Sequence, residues 1–332
     1  MTWPQPPRTQ ILATLLSSAW ISGQALADAA GISRTAIWKH IHVLQEEGYP
    51  IQAASGLGYR LEFLPDHLGA EAVQAGLQTR ALGRQIVFKS SLDSTQNLAK
   101  TLVEQGAEEG TVVLAESQSQ GRGRRGRLWS SIAKGLAMSV ILKPDLPPEK
   151  APQFPILAGV ALVRAISRLC PVQAGLKWPN DILIQGRKVV GILAELDAEM
   201  DRINAIYLGI GINVNARQED IPEELRDIAT SLALYSGESV HRVYLVRAIL
   251  EELEAAYTTY LHHGFPPLRE EWKKQNITLG RQVHVQCYGQ DIHGFAEDMD
   301  EHGALLLRTQ DGERMAITAG EVHLGLHPSP TP

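Results

Sequence analysis

Hydrophobic side chains recur at helical spacing near the start of the chain, in two separate stripes. The stripes consist of Ile11, Leu12, Leu15 and Leu16, and of Ile37, Ile41 and Leu44. Ser22 and Ser33 stand where the N-caps of a second and a third helix are expected, and Gly31 supplies a tight turn between those two helices. The pattern predicts three short helices, of which the last two form a helix-turn-helix.

Two short extended segments follow these helices, at residues 48–51 and 55–61. Glycines separate them, so the pair predicts a β-hairpin, the wing of a winged helix-turn-helix. In such a domain the last helix enters the major groove of DNA. We therefore expect the DNA-binding residues to be Ser33, Arg34, Thr35, Trp38, Lys39 and His40. A three-helix module that binds another protein is the alternative, and the wing argues against it.

The pattern changes after Pro65, where a linker-like helix rich in Ala and Gln precedes a long stretch that mixes strands with helices. The predicted strands are 85–89, 111–115, 136–142, 175–177, 182–184, 189–196 and 206–212. The predicted helices are 96–105, 154–169 and 242–261. Short links such as residues 184–188 join neighbouring strands directly, which favours a mixed or antiparallel sheet over a parallel, doubly wound one.

The last part of the chain predicts a small β domain, because short strands alternate there with Gly and Asp turns. These strands are 283–285, 289–299, 304–308 and 314–319. The fold class is therefore multidomain, with a winged helix-turn-helix at 1–65, a central α/β (α+β) domain with a mixed sheet at 66–272, a small SH3-like β-barrel at 273–326 and a tail at 327–332.

Composition supports a folded protein of the cytoplasm. The 332 residues are 44% hydrophobic and 20% charged, which supplies a large core and argues against disorder. No apolar run approaches the length that spans a membrane, and Met1–Arg8 lacks the apolar core of a secretory signal. The two cysteines, Cys170 and Cys287, are far apart, which is typical of buried free thiols in a reducing compartment.

Charge limits how the chain binds DNA. The net charge is −6, and residues 1–64 contain four basic and four acidic side chains. A neutral DNA-reading domain releases few counterions, so we expect a single copy to bind DNA weakly.

Three clusters carry the candidate chemistry. The segment 121–127 contains four arginines and three glycines, which suits a mobile loop that binds carboxylate and phosphate. The other clusters are 175–191, with Lys177, Asn180, Asp181 and Lys188, and 209–215, with Gly209, Gly211 and Asn213. They suggest a phosphate-bearing ligand that lies on a sheet. Each cluster alone also fits a bland interpretation: a basic nucleic-acid tract or solvated linker for the first, and turns beside core strands for the others.

The order of these motifs resembles that of the biotin–protein ligases. The matching elements are Asp93-Ser-Thr-Gln-Asn97, Gln118 with Gly121–Arg127 and Trp129, Lys177-Trp-Pro-Asn-Asp181 with Lys188 and Gly191, and Gly209-x-Gly-x-Asn213. Together with the two flanking domains, the resemblance covers nearly the whole chain. It is closest to the bifunctional class that combines ligase and biotin-operon repressor.

The resemblance implies both the site residues and the reaction. Biotin is expected to contact Ser94, Thr95, Asn97, Gln118, Gly121, Arg122, Arg124, Lys188, Gly191, Gly209 and Gly211. ATP is expected to contact Arg122, Arg124, Arg127, Trp129, Lys177, Asn180, Lys188 and Asn213, with Asn213 also a candidate Mg²⁺ ligand. Arg124, Lys188 and Asp181 would carry catalysis. The implied cofactors are biotin, ATP and Mg²⁺, and the implied partners are a biotin carboxyl carrier protein, operator DNA and a second copy of the chain.

One departure from the family leaves the adenine contacts open. Some members stack adenine on a Trp after the third motif, whereas residues 221–228 contain none. Three alternatives also remain: a lipoate–protein ligase, a regulator that senses biotin without catalysis, and a ligase whose N-terminal domain no longer reads DNA. The arginine-rich loop and the winged helix argue against the first, and retention of Arg124 and Lys188 argues against the second.

Overall fold

The computed structural model of the protein describes residues 6–287 and 289–324. The tail predicted at 327–332 lies outside the described residues.

The N-terminal head is a winged helix-turn-helix, as predicted. Its elements are α1 (Pro7–Leu16), α2 (Gly23–Ala30), α3 (Arg34–Glu46), β1 (Ile51–Ala54) and β2 (Gly58–Leu61). The Ser22 and Ser33 hydroxyls accept hydrogen bonds from the backbone N–H groups of Ala25 and Ala36, so both predicted N-caps are confirmed. Gly31 ends α2 with a φ of 65°.

Two antiparallel strands form the wing, and backbone hydrogen bonds tie it to the helices. β1 pairs with β2 from Ile51↔Leu61 to Ala54↔Gly58. Ile21, in the connection between α1 and α2, exchanges two backbone hydrogen bonds with Tyr59, of 2.8 and 2.9 Å. The wing is therefore part of a three-stranded arrangement that includes the connection between α1 and α2.

The central domain is built on a seven-stranded mixed sheet in the order β3-β4-β5-β9-β8-β7-β6. The strands are β3 (Ile86–Leu92), β4 (Val112–Gln118), β5 (Leu136–Leu142), β6 (Gly175–Lys177), β7 (Asp181–Ile184), β8 (Arg187–Ala198) and β9 (Ile203–Ile212). Only the β3–β4 pair is parallel among the pairs of this sheet. The prediction of a mixed sheet is confirmed.

Helices cover the two faces of this sheet unequally. They are α4 (Ala70–Gln74), α5 (Thr95–Glu104), α6 (Phe154–Leu169), α7 (Leu232–Ser236), α8 (Arg242–His263) and α9 (Pro266–Gln275). Alternate strand residues face opposite sides, so Val113, Ile141 and Tyr207 pack with α5, whereas Leu114 and Leu208 belong to the large core with α6 and α8. The single helix α5 leaves part of its face open.

The C-terminal part is a five-stranded antiparallel sheet in the order β13-β12-β11-β10-β14. Its strands are β10 (Gln282–Cys287), β11 (Gln290–Met299), β12 (Leu305–Thr309), β13 (Arg314–Ile317) and β14 (Glu321–Leu324). Trp178 anchors this β domain to the central one, because its indole N–H donates to Gly303 O at 2.9 Å and its backbone N–H to Thr278 Oγ1 at 2.9 Å. The predicted C-terminal β domain is confirmed.

Besides the five-residue α7, which was not predicted, two helices differ from the sequence predictions. α9 was not predicted, since the sequence of this segment is mostly charged and polar and only Leu268 and Trp272 are buried. The linker helix α4 is only five residues long. Tertiary packing, rather than a long apolar stripe, places both helices. No helix among the described residues meets the length and hydropathy that a bilayer crossing requires.

Two wing glycines provide a stability test. Gly56 and Gly58 both have positive φ, of 80° and 98°, but only a Cβ at Gly58 would clash, lying less than 3.0 Å from the backbone oxygen of Ile21. We expect Gly56→Ala to lower the unfolding free energy of the head by about 1 kcal/mol through backbone strain. Gly58→Ala should cost about 1–3 kcal/mol more, because the wing must move away from Ile21.

Urea unfolding followed by hydrogen exchange of peptides from residues 7–61 measures this difference. Equal losses in the two variants would show that the Ile21 contact does not hold the wing.

Candidate active site

The predicted site residues converge on one pocket at the N-terminal end of α5, beside the edge strand β14. The predicted residues that line it are Ser94, Thr95, Gln118, Arg122, Arg124, Arg127, Trp129, Lys177, Asn180, Asp181, Lys188, Gly191, Gly209 and Gly211. Asn97, Gly121 and Asn213 do not line it. The pocket thus unites motifs from β4, α5, the segment 122–129 and strands β6 to β9.

One end of the pocket is a buried, uncharged hydrogen-bond network. Gln118 Oε1 accepts from the backbone N–H of Thr95 at 2.7 Å and from its hydroxyl at 3.0 Å. The Ser139 hydroxyl lies 2.8 Å from Thr95 Oγ1 and 2.9 Å from Gln96 Oε1, and Gln96 Nε2 donates to Tyr207 O at 3.0 Å. Amide and hydroxyl groups both donate and accept, so this end suits a neutral ligand group that does the same.

The middle of the pocket is a tightly packed apolar surface. Gly191 and Gly211 are paired across β8 and β9, and the Trp129 indole packs directly against both. A Cβ at either glycine would lie less than 3.0 Å from the indole. Side chains are therefore excluded from this floor, and the Trp129 indole itself lies on it.

The other end of the pocket is cationic. Lys188 Nζ lies 2.7 Å from Asp181 Oδ1 and 5.6 Å from the centre of the Trp129 ring. Burial lowers the pKa of Lys177, and the Lys188 ammonium lowers it further, against the attraction of Asp181. Burial likewise lowers the pKa of Arg124, again against the attraction of Asp181. Poorly hydrated cations of this kind bind an entering anion strongly.

The arginine-rich segment forms a small hairpin. Trp129 N–H donates to Gly121 O at 2.8 Å, and Gly123 N–H donates to Arg127 O at 2.8 Å. Gly121 thus closes the base of the hairpin, its contact with biotin stays a prediction, and the tip carries Arg125 at a φ of 57°. A Cβ at Gly121 would lie too close to Trp129 O, which explains the glycine.

Three arginines of this hairpin reach the C-terminal sheet. Arg124 donates to Gly320 O at 3.0 Å, Arg125 to Gln286 O at 3.1 Å, and Arg127 to Glu321 Oε1 at 2.6 Å. Arg124 also donates to Asn180 Oδ1 at 3.1 Å. The C-terminal domain therefore forms one wall of the pocket and fixes the hairpin over it.

Asn97, another predicted residue, supports the hairpin from outside the pocket. Asn97 accepts a hydrogen bond from Arg122 at 3.1 Å and donates to Asp93 Oδ2 at 2.6 Å. Arg122 also lies 3.4 Å from Glu195. Asn97 therefore holds the hairpin through Arg122, and its direct contact with biotin stays a prediction.

Several residues of the site were missed by sequence reasoning. They are Gln96, Ser139, Glu195, Gly320, Glu321 and Val322. Ser139 gave a usable signal, since it is the one polar residue in the apolar strand 136–142. The residues of β14 gave none, because nothing in the sequence connects that strand with the distant hairpin.

The sequence predicts Asn213 as a candidate magnesium ligand. Asn213 is buried just beyond β9, where its backbone N–H donates to Val189 O and its carbonyl accepts from Leu232. Within residues 6–287 and 289–324, no three His, Cys, Asp or Glu side chains are grouped as metal ligands would be. A magnesium contact with Asn213 stays a prediction.

The candidate DNA-binding residues lie on one helix of the head. Ser33, Arg34, Thr35, Trp38 and Lys39 are exposed, and His40 is half-buried. Trp38 is 59% exposed, which is unusual for so large an apolar side chain. Arg60 of the wing is exposed as well. The head thus presents an unpartnered helix surface of the type that enters a major groove.

Family comparisons agree with this domain order. The HTH domain model matches residues 7–60, the Biotin/lipoate A/B protein ligase family model matches 87–213, and the model of the Biotin protein ligase C terminal domain matches 278–325. The chain is also similar to a solved structure, the biotin protein ligase from Aquifex aeolicus in complex with biotin and ATP. That match has a TM-score of 0.63 and 30% identity, and it covers 73% of this chain and 98% of the other.

Full-length relatives narrow the assignment. The chain is 43% identical to the bifunctional ligase/repressor BirA of Bacillus spizizenii, over 93% of this chain and 95% of the relative. It is 29% identical to the protein of the same name in Escherichia coli K12, over 95% and 96%. The chain therefore belongs to the biotin protein ligase family, in its group of bifunctional ligase/repressors.

Proposed function

We propose that this protein joins biotin to AMP with ATP, transfers the biotin to a lysine of a biotin carboxyl carrier protein, and represses biotin synthesis genes when biotin is plentiful. One observation carries the ligase half of this proposal. The pocket presents a neutral polar end, an apolar middle and a cationic end in a single line. Biotin has the same sequence of groups: a ureido ring, a thioether ring with an aliphatic chain, and a carboxylate.

The strand register sets this order. Ser139 and Gly209 are paired at the neutral end, and Gly191 and Gly211 are paired two residues further along the strands. Lys188 lies beyond Gly191 on β8, next to Leu183 of β7. The ureido group would exchange hydrogen bonds with the network of Thr95 and Gln118, and the rings would lie at Trp129. The carboxylate would then reach Lys188.

The first step joins two anions. A carboxylate oxygen attacks the α-phosphorus of ATP, the new P–O bond forms, and the bond to pyrophosphate breaks. Two unit charges at ~4 Å repel each other by roughly 4 kcal/mol at an effective dielectric constant of 20. Lys188, Arg124 and Lys177 oppose this repulsion and stabilise the charge that builds on the α-phosphate. A magnesium ion that arrives with ATP neutralises part of the phosphate charge.

The second step releases AMP. The carrier lysine amine attacks the carbonyl carbon of the mixed anhydride, an amide bond forms, and the C–O bond to AMP breaks. The attacking nitrogen must lose a proton, and Asp181 is the carboxylate next to Lys188 that can accept it. The hairpin 121–129, fixed by Arg124 and Arg127 to the C-terminal sheet, shields the labile anhydride from water until then.

The nucleotide base has a candidate surface in place of the missing Trp. Ile228 O accepts the backbone N–H of Lys188 at 2.8 Å, so the segment 221–230 lies directly beside the cationic end. Ile228 is 60% exposed there. An aliphatic contact of this kind is what the departure from the family pattern requires.

Repression requires two heads to bind two half-sites, and we propose a homodimer that forms when ligand is bound. β8 offers a surface for it, since β7 pairs only with its residues 187–191, Asn180 hydrogen-bonds the backbone of Ile192, and the described residues pair 193–198 with β9 alone. A dimer would also compensate for the weak DNA binding of a neutral head. Because the reaction consumes ATP and the two cysteines are free and buried, we place the protein in the cytoplasm.

Mass spectrometry of a biotin carrier domain tests the ligase function. Incubated with the protein, ATP, Mg²⁺ and biotin, the carrier should gain the mass of one biotin residue, and with lipoate it should gain nothing. Lys188→Gln should reduce pyrophosphate release about 100-fold or more, whereas Lys274→Gln, on the exposed side of α9, should behave as wild type. The proposal fails if the wild-type protein releases no pyrophosphate, or if lipoate is the better substrate.

Asp181→Asn should separate the two steps. Pyrophosphate release should stay within about tenfold of wild type, whereas transfer to the carrier should fall about 100-fold near neutral pH, because the proton acceptor is missing. Raising the pH should restore transfer, since the carrier amine then loses its proton to solvent. Single-turnover assays of both steps measure this, with Asp145→Asn, an exposed carboxylate, as the control. Equal effects on both steps, without rescue at high pH, would give Asp181 a purely structural role.

The lowered pKa of Lys177 predicts a pH dependence of anion binding. A bound anion favours the ammonium form, so binding raises this pKa. Affinity for inorganic pyrophosphate should therefore be full below the lowered pKa of the free protein and should decline as the pH rises through it. Calorimetric titrations from about pH 7 to about pH 10, the range in which an ordinary lysine stays mostly charged, will detect an early decline.

Lys177→Arg should flatten this profile, because a guanidinium keeps its charge throughout. An identical pH profile in the variant would assign the decline to another group.

A further inference from the structure

Arg242 stands at the first position of α8, where the linker of the head meets the central domain. Its side chain is only 8% exposed, yet it contacts two carboxylates and two backbone carbonyl oxygens. The described residues supply all of these partners from two separate parts of the chain. One part is the linker at Asp66, and the other is the base of the segment that carries the substrate hairpin.

The linker makes several hydrogen bonds with the N-terminal end of α8. Asp66 accepts the Arg242 backbone N–H at 2.8 Å and its Nε–H at 3.1 Å, and Asp66 O accepts a third hydrogen bond at 3.0 Å. The neighbouring His241 lies 2.8 Å from Leu64 O through Nε2. Residues 64–66, which leave the head, are therefore fixed to the N-terminal end of α8.

The other side of the contact spans the substrate segment. Arg242 Nη1 donates to Glu116 Oε2 at 2.6 Å and to Gly135 O at 3.2 Å. Glu116 precedes Gln118 of the pocket by two residues on β4, and Gly135 directly precedes β5. One guanidinium therefore holds both ends of residues 117–134, the segment that includes the whole hairpin and Trp129.

The balance of charges shows that this contact is strong. Burial works against the charge on Arg242, but the hydrogen bonds and charges of Glu116 and Asp66 outweigh it, so the pKa of the guanidinium is raised. Hydrogen bonds between a buried cation and carboxylates are stronger than neutral ones. The planar guanidinium is also required, because the ammonium of a lysine could not donate to four oxygens on two sides at once.

We propose that Arg242 is a positioning residue that links the head to the biotin site by fixing the linker at Asp66 and both ends of the substrate segment to one guanidinium. Any shift of the linker changes the base of the hairpin, and the ordering of the hairpin by ligand changes the linker. Affinity for biotin and orientation of the head are then coupled, and the coupling acts in both directions. The proposal rests on the proposed function for the identity of the ligand.

A second contact gives the head a defined orientation for this coupling to act on. Arg8 of α1 pairs with Glu71 of α4 at 2.9 Å and with Glu47 at the end of α3 at 2.7 Å. The head therefore packs against the central domain as well as being tethered to it. A change at residues 64–66 would act on a packed interface, so it has an energetic consequence.

Biotin binding to the full-length protein tests the link. Asp66 does not line the pocket and touches its base only through Arg242. We expect Asp66→Asn to raise the dissociation constant for biotin, measured by calorimetry, about three- to tenfold. Glu116→Gln should raise this dissociation constant as well. Adding Asp66→Asn to Glu116→Gln should change it by less than about twofold, because the contact between Arg242 and the substrate segment is already lost.

The variants are chosen so that the protein stays folded. Each single variant removes one charge without changing shape, so Arg242 keeps its other carboxylate. In the double variant Arg242 keeps its hydrogen bonds to the carbonyl oxygens of Asp66 and Gly135, and thermal unfolding checks the fold of all three proteins. Arg242→Lys, which keeps the charge but cannot bridge, should give the same loss. Arg168→Gln is the matched control, since Arg168 also pairs with two carboxylates, Glu251 and Glu252, on a surface remote from the pocket.

Two results would overturn the inference. In the first, Asp66→Asn binds biotin as wild type does. In the second, the effects of Asp66→Asn and Glu116→Gln are simply additive, so that Asp66 acts by another route. A wild-type protein that does not bind biotin would instead refute the proposed function, so the two failures are distinguishable.

Discussion

Mutual repulsion among the cations of the pocket is the constraint on which the rest of the structure depends. Lys177, Lys188 and Arg124 lie close together and are partly buried. The Lys188 ammonium adds to the lowering of the pKa of Lys177. Asp181 and Glu321 supply the counter-charges that hold the group together. Such a cluster is costly while no anion is bound, and it is therefore well suited to bind two anions that repel each other.

Three parts of the chain are needed to build that cluster. The central sheet supplies the lysines, the hairpin supplies Arg124, and the C-terminal sheet supplies Glu321 and the carbonyl that holds Arg124. Trp178 fixes the turn between β6 and β7 to the same C-terminal sheet. The C-terminal domain is thus a wall of the site, and this contribution explains why a small β domain is attached to a catalytic sheet.

The head is also connected to the site. A hairpin that shelters an activated intermediate must be attached at both ends, and in this fold both ends meet the guanidinium that also holds the linker of the head. The polar contact between the linker and the substrate segment therefore adds to the packing of the head against the central domain.

The sequence by itself determined the local structure and the chemistry. Ser22, Ser33 and Gly31 set helix ends through contacts within a few residues, and the strand and helix periods set the mixed sheet, because both depend on neighbours along the chain. The tertiary structure alone decided which distant groups complete the site. Arg124 and Gly320 are separated by 196 positions, and Asp66 and Arg242 by 176. No local period or motif encodes such pairs, since they follow from how whole domains pack against one another.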